Sequence, residues 1–141
     1  DGRVYRDGML RAAEEIAQDP QGLKIFSLID SDESRRRNVQ RDRALALSWV
    51  DFLIAYRTRA FQDFIAKLKS EEAPAPPETE AEFSYFLTSF VSYQEEALQD
   101  AYRAKVESLD EKWKKYTLAV AERLKKQAAA TAPEPNARRR R

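Results

Sequence analysis

The sequence predicts an all-α protein: an irregular bundle of about six helices around a central apolar helix at residues 39–56. Apolar residues recur at helical spacing in successive segments, and only three glycines occur in 141 residues. Runs of alternating Val, Ile or Thr bounded by turn residues are almost absent. In residues 44–56, eleven of the thirteen side chains are apolar. Such a helix normally lies at the centre of a bundle, and it is too short to span a bilayer, which needs about 20 apolar residues.

The remaining helices are predicted from apolar spacing and from residues that start or end helices. Asp19 and Pro20 end the first helix, since proline disfavours helical geometry in the residue before it. Thr58 is a plausible cap for a helix that follows the central one, and Ser108 with Glu111 forms a capping-box pattern that opens the last helix. The predicted segments are 4–18, 22–30, 39–56, 59–69, 81–93, a more weakly amphipathic 94–106, and 109–127.

The chain is predicted to form a single helical domain at residues 1–127, followed by a flexible basic tail at 128–141. Within the domain, residues 70–80 form an acidic, proline-rich loop, because three prolines in four positions forbid helix. The chain begins at Asp1 without a methionine or a targeting segment. We therefore expect it to be an excised or processed piece of a longer protein, and no compartment is predicted.

The large apolar residues on the inward faces of these helices form the predicted core. Truncation of Trp49 should be the most damaging change in the central helix, at about 3 kcal/mol or more if it is buried. The predicted core residues are Leu45, Trp49, Phe52, Leu53, Phe64, Phe86, Phe90, Trp113 and Tyr116.

Composition excludes several chemistries for this chain. It contains no cysteine, which excludes disulfides, thiolate catalysis and cysteine-ligated metals. It contains no histidine, which removes the commonest general base and the commonest zinc ligand. We find no phosphate-binding glycine loop and no nucleophile elbow. The sequence therefore predicts no catalytic residue, no metal site and no cofactor.

Two polar residues interrupt the central helix and form a candidate polar spot. Ser48 and Asp51 are three residues apart, so they share a helix face. One interpretation is that they mark the solvent-exposed edge of the helix. The other is that Asp51 is buried and paired, because an unpaired buried carboxylate is costly. Its partner would be Arg57, or a lysine, arginine or tyrosine of a neighbouring helix.

Arginines cluster at two places in a chain whose formal net charge is only +1. Basic clusters can neutralise phosphates, which suggests nucleic acid or an acidic surface as a partner. Against nucleic acid, acidic residues interrupt the first cluster and no aromatic residues interleave it. The first cluster, the candidate basic patch, is Arg35, Arg36, Arg37, Arg41 and Arg43, and the second is Arg138, Arg139, Arg140 and Arg141.

The order of three apolar segments resembles the helical region that follows the zinc site in gluzincin (peptidase-MA-like) metallopeptidase-like proteins. The segments are LALSWVDFL at 45–53, FQDFIAKL at 61–68 and LDEKWKKY at 109–116. The resemblance covers about residues 20–120 and implies a C-terminal helical region that buttresses a substrate or partner cleft. It implies a protein partner, either the N-terminal part of the parent or another subunit, and it is compatible with an extracytoplasmic location.

The chain departs from the family at the residues that carry the chemistry. The zinc-binding His-Glu-x-x-His helix and the downstream glutamate ligand would lie before Asp1, and this chain has no histidine to rebuild them. Active relatives place a tyrosine where Leu45 stands, and leucine cannot donate a hydrogen bond to an oxyanion. The parent protein would then be inactive or would use another donor.

The resemblance and the composition together predict a non-catalytic helical module. The alternative functions are a free-standing protein-interaction module and an accessory factor that binds nucleic acid or an acidic surface through its arginines.

Overall fold

The computed structural model describes residues 2–24, 39–75, 78–79 and 83–131, and the side chains of 83–88 are not described. This part of the chain contains helices and no strand, which confirms the predicted all-α fold. The helices are α1 (Gly2–Gln18), α2 (Val39–Tyr56), α3 (Thr58–Leu68), α4 (Phe83–Tyr102) and α5 (Val106–Thr131). The bounds of α2 are those predicted for the central helix.

Helices α1 and α2 run antiparallel and pack closely along most of the length of α1. Glu15 near the end of α1 binds Arg41 at the start of α2, at 2.7 Å. Tyr5 near the start of α1 binds Asp51, ten residues further along α2. Between these contacts Gly8 lies against Leu47, and a Cβ atom at Gly8 would be 2.5 Å from Leu47 Cδ2. Helix α5 packs against both α1 and α2, and α3 packs against α4.

The core forms where α1, α2, α3, α4 and α5 converge. From α2 it takes Leu45, Trp49, Phe52 and Leu53, all less than a tenth exposed. From α5 it takes Trp113, which is fully buried. Each such side chain contributes about 1.5–3 kcal/mol by leaving water. The remaining members of the cluster are Ala12, Ile16, Leu23, Ala60, Phe64, Leu98, Tyr102, Val106 and Leu109.

Three of the predicted core residues are not among these buried side chains. Tyr116 is half-buried and packs against the edge of the core. Phe90 is also only half-buried. The side chain of Phe86 lies outside the described residues. Tyr102 and Leu109 are fully buried without having been predicted as core residues.

Helix α2 is not enclosed on every side, in contrast to the expectation from its apolar sequence. Val39, Ala46, Val50 and Ile54 are exposed on one face of the helix. These residues are exposed because α1, α3 and α5 contact the other sides of α2. Among the described residues, no helix packs against this remaining face.

Helix α4 runs without a break from Phe83 to Tyr102, so the predicted segments 81–93 and 94–106 form one helix that ends before residue 106. It ends in a Schellman motif: Arg103 adopts a left-handed φ of 52°, and the Ala104 N–H donates to the Gln99 carbonyl at 3.3 Å. The Gln99 side chain also accepts the Val106 N–H at 3.2 Å. Because Gln99 supplies that acceptor, α5 begins before Ser108, and the predicted cap at Ser108 is wrong.

Two other predicted helix ends differ from the structure. Arg57, not Thr58, is the N-cap residue of α3, and its extended backbone makes no side-chain capping bond. The Thr58 hydroxyl instead donates to the Ile54 carbonyl at 2.9 Å. At the C-terminus, α5 includes residues 128–131, which were predicted to be flexible, since three successive alanines favour helix.

Some predictions concern residues that the structure leaves out. Of the predicted helix at 22–30, residues 22–24 are not helical and the remainder lies outside the described residues. Tail residues 132–141 also lie outside the described residues. The described part of the proline-rich loop, 70–75 and 78–79, contains turns and bends and no helix.

We expect Thr117→Val to raise the free energy of unfolding by about 1 kcal/mol. Thr117 is fully buried, and its hydroxyl has no hydrogen-bond partner among the described residues. Valine has nearly the same shape and removes the unsatisfied polar atom. Urea unfolding measures the change, with Thr117→Ser as a control that keeps the hydroxyl and loses the methyl group. A destabilised valine variant would show that the hydroxyl is satisfied.

Candidate functional site

The Ser48 side chain is fully buried between α2 and α5, so it does not lie on a solvent-exposed edge of α2. Its hydroxyl donates to the Leu45 carbonyl at 2.8 Å, one turn earlier. It also accepts the indole N–H of Trp113 at 2.9 Å. These two bonds use the hydroxyl as donor and as acceptor, so Ser48 has a structural role in joining α5 to the centre of the bundle.

Asp51 is half-buried and accepts two hydrogen bonds on one oxygen. The Tyr5 hydroxyl of α1 donates to Oδ2 at 3.0 Å, and the Tyr116 hydroxyl of α5 donates to the same atom at 2.6 Å. The partners are therefore tyrosines of neighbouring helices, one of the alternatives that the sequence left open. Arg57 instead donates to the Tyr102 carbonyl at 3.1 Å. One carboxylate thus ties together α1, α2 and α5.

The environment of Asp51 keeps both tyrosines protonated. Burial, the hydrogen bond to Asp51 and the repulsion from its charge raise the pKa of Tyr116. The same causes, again led by burial, raise the pKa of Tyr5. Both phenols therefore stay protonated at neutral pH and cannot act as bases. Asp51, Tyr5 and Tyr116 have a structural role, since their hydrogen bonds hold three helices together.

The described part of the candidate basic patch does not form one basic surface. Arg41 is half-buried and its Nε binds Glu15 of α1. Arg43 is exposed, and residues two positions apart diverge by about 200° around a helix. Residues 35–37 and 138–141 lie outside the described part of the chain. Nucleic-acid binding through the arginines therefore remains a prediction.

The exposed face of α2 is a candidate interaction surface. We define the outer face as Val39, Arg43, Ala46, Leu47, Val50 and Ile54, which occupy one side of α2. Five of these six residues are apolar, although solvent-facing helix surfaces normally carry polar side chains. Val50 is 43% exposed and Ile54, one turn later on the same face, is 41% exposed.

A groove runs between the outer face and α1. It has a volume of about 550 Å³, and Leu47 forms one side of it. Gly8 lets Leu47 pack directly against α1 beside the groove, because a Cβ atom at Gly8 would clash with the Leu47 side chain. Val4 of α1, which is 68% exposed, extends the apolar surface across the groove. The groove is lined by Val4, Asp7, Gly8, Arg11, Gln40, Arg43, Ala44 and Leu47.

Sequence reasoning missed the residues that complete these sites. Tyr5 and Tyr116 carried a signal: Tyr5 lies at helical spacing with the apolar residues of α1, Tyr116 was a predicted core residue, and a buried tyrosine hydroxyl needs a partner. The position that the family resemblance aligns with a catalytic tyrosine, Leu45, is fully buried in the core. The outer face was concealed by the assumption that an apolar helix is covered all round.

We expect Ser48→Ala to lower the free energy of unfolding by about 1–3 kcal/mol, because the buried indole N–H of Trp113 loses its acceptor. Urea unfolding followed by tryptophan fluorescence measures the loss. Ser92→Ala on α4 is the matched control, since Ser92 is exposed. Equal stability of Ser48→Ala and the parent chain would contradict the assigned role of Ser48.

Stability should fall as the pH rises above about 10, the ordinary pKa of tyrosine. Burial raises the pKa of Tyr102 to about 12. The unfolded chain therefore loses the Tyr102 proton at lower pH than the folded protein, and the stabilisation present below pH 10 is lost as the pH rises toward 12. Urea unfolding across this pH range measures the slope.

In Tyr102→Phe the same titration should give a shallower fall. Tyr56→Phe should not make the fall in stability shallower, because the hydrogen bond from Lys112 lowers the pKa of Tyr56. If the slope is the same in Tyr102→Phe as in the parent, Tyr102 is not its source.

Among the described residues, no group of three or more Asp or Glu side chains is placed to hold a metal ion. No helix in the described ranges is long and apolar enough to cross a membrane. No protein-family model, no curated protein and no solved structure matches the chain.

Proposed function

We propose that this chain is a non-catalytic helical module that binds a protein partner through the outer face of α2. The observation that supports the proposal is the apolar stripe formed by the exposed residues Val39, Ala46, Val50 and Ile54, with the half-buried Leu47 beside them. A contiguous apolar surface of this kind is typical of protein-interaction sites, whereas scattered single apolar residues are not.

The partner that best fits this surface is an amphipathic helix with acidic flanks. The groove beside Leu47 accepts a helix-in-groove arrangement, in which apolar side chains at helical spacing enter the groove. Arg43 lies within the outer face, and no carboxylate of the described residues lies within 4.0 Å of its guanidinium. An acidic side chain of the partner would pair with this arginine and set the direction of docking.

The family resemblance extends the proposal to a specific partner. If the chain is the C-terminal region of a gluzincin-like protein, the catalytic part of the same protein would contact the module. The three segments that carry the resemblance lie on α2, α3 and α5, and residues from all three join one core cluster. This packing is compatible with a buttressing role.

The proposal is tested with two synthetic amphipathic peptides that have leucines at helical spacing and either glutamates or lysines along the flanks. The glutamate peptide should bind the folded chain more tightly, as measured by fluorescence polarisation. Val50→Lys, in the middle of the outer face, should weaken its binding by about tenfold or more, because a lysine there must be desolvated.

Leu118→Lys is the matched control for this experiment. Leu118 is 38% exposed on α5 and does not belong to the outer face. This variant should bind the glutamate peptide as the parent chain does. Equal weakening by Val50→Lys and Leu118→Lys, or no binding of either peptide, would contradict the proposal.

A separate observation tests the family resemblance. Any coding sequence that precedes Asp1 in the gene should contain a His-Glu-x-x-His helix. Its absence would contradict the gluzincin-like origin and would leave the role of the outer face unaffected.

A further inference from the structure

A second surface cavity lies between α2 and α5 and shares no lining residue with the outer face. It has a volume of about 370 Å³, within the range of small-ligand sites. Phe52, Ala55 and Tyr56 of α2 form one wall, and residues of α5 form the other. The α5 residues are Lys112, Lys115 and Tyr116.

The charged side chains that line this cavity are all cationic. Lys112 and Lys115 are exposed and lie three residues apart on the same face of α5. The nearby carboxylate of Asp51 is engaged by the hydroxyl of Tyr116, on the wall of the cavity. Glu111 lies one turn before Lys115 and does not line this cavity, but it lines a neighbouring cavity that Lys115 also lines. An anion in the cavity therefore meets two ammonium groups and no carboxylate of a lining residue.

Tyr56 provides a further hydrogen-bond donor. Its hydroxyl accepts a hydrogen bond from Lys112 Nζ at 2.9 Å, and it donates to no acceptor among the described residues. A phenol that accepts a bond still has its own proton to donate. Lys112 also retains two of its three ammonium hydrogens. The unused donors of Tyr56 and Lys112 are thus available to one oxyanion.

The surroundings of Tyr56 hold its ring in place. The ring stacks with Phe52 at 5.3 Å and with Tyr102 at 6.2 Å between centroids. The Arg57 guanidinium and Lys112 Nζ lie 5.0 Å and 5.1 Å from its centroid. These contacts fix the hydroxyl before any ligand arrives, which reduces the entropy lost on binding.

The apolar wall of the cavity determines which anion fits. Phe52 is almost fully buried, and its ring reaches the cavity between Tyr56 and Tyr116. A ligand with a flat apolar body would pack against this aromatic wall while its charged group meets the lysines. Inorganic phosphate would use only the charged half of the cavity.

We propose that this cavity binds an organic anion, a carboxylate or phosphate attached to a planar apolar body. Tyr56, Lys112 and Lys115 bind the charged group, and Phe52 and Ala55 contact the apolar body. The site does not depend on the proposed role of the outer face, since the two surfaces lie on different sides of α2.

The test uses the full chain with naphthoate, naphthyl phosphate, inorganic phosphate and naphthylmethylamine as probes, with binding measured by isothermal titration calorimetry. One or both of the aromatic anions should bind, which identifies the preferred charged group. Inorganic phosphate should bind at least fivefold more weakly than the preferred anion, and the aromatic amine should not bind. Binding of the amine, or equal affinity for inorganic phosphate, would overturn the proposal.

Variants locate the site within the chain. Lys112→Met and Tyr56→Phe should each weaken binding of the preferred aromatic anion by about fivefold, the effect of one hydrogen bond of about 1 kcal/mol. Lys126→Met, on the same helix and also exposed, is the charge-matched control and should bind as the parent does. Equal weakening by Lys126→Met would show non-specific charge attraction and overturn the assignment.

A spectroscopic signature gives an independent readout. Lys112 donates to the Tyr56 hydroxyl, which lowers the pKa of Tyr56. A bound anion pairs with Lys112 and accepts a hydrogen bond from the Tyr56 hydroxyl, which favours the protonated phenol, so saturation with the aromatic anion should raise the pKa of Tyr56. Tyrosinate absorbance across an alkaline titration measures the shift, with Tyr56→Phe as the blank. An unchanged Tyr56 titration at saturating ligand would place the ligand elsewhere.

Discussion

The hydrogen bond from the indole of Trp113 to Ser48 determines how α5 lies against the rest of the bundle. Trp113 is the largest fully buried side chain, and its N–H would cost about 1–3 kcal/mol if it were left without an acceptor. Ser48 provides that acceptor while donating to the Leu45 carbonyl. A shift of α5 along α2 by even one residue would break this bond, so the Ser48 hydroxyl, together with the bond from Tyr116 to Asp51, sets the register of the two helices.

The other polar contacts between helices act in the same way around this centre. On one side, Asp51 joins Tyr5 and Tyr116, and so brings α1 and α5 to α2. On the other side, the Tyr102 hydroxyl donates to the Leu53 carbonyl at 2.6 Å and attaches α4 to α2. Apolar burial provides the bulk of the driving force, and these directional bonds select one arrangement among many that would bury similar area. Helix α2 is therefore central in connectivity, even though one of its faces is open.

The helices themselves were predictable, because apolar spacing and proline positions are local signals. The bounds of α2 agree with the prediction, and α1 differs only in beginning two residues earlier. The end of α4 and the start of α5 were not predictable, because they depend on Gln99, whose side chain accepts a hydrogen bond from the Val106 N–H across a turn. A capping pattern at Ser108 was present in the sequence. The helix nevertheless begins at Val106, because the Gln99 side chain accepts a hydrogen bond from the backbone N–H of Val106.

The candidate sites were harder to predict than the helices, since they depend on which helix faces meet. The sequence indicated that Asp51 would need a partner if it were buried, but nothing in its own segment pointed to Tyr5, 46 residues earlier. The stripe of Val50 and Ile54 is apolar, as is the core stripe of Trp49 and Phe52. Periodicity shows that a face is apolar, and only the packing shows whether it is covered.

The two tryptophans of the chain form an edge-to-face pair, with ring centroids 5.5 Å apart at 89°. Both indoles are buried in the same core, one from α2 and one from α5. Their electronic transitions are close enough to couple, so the near-ultraviolet circular dichroism of the protein should be dominated by this contact. The chain thus contains an intrinsic optical probe of the α2–α5 junction, which would report a loss of packing there while the helices themselves remain formed.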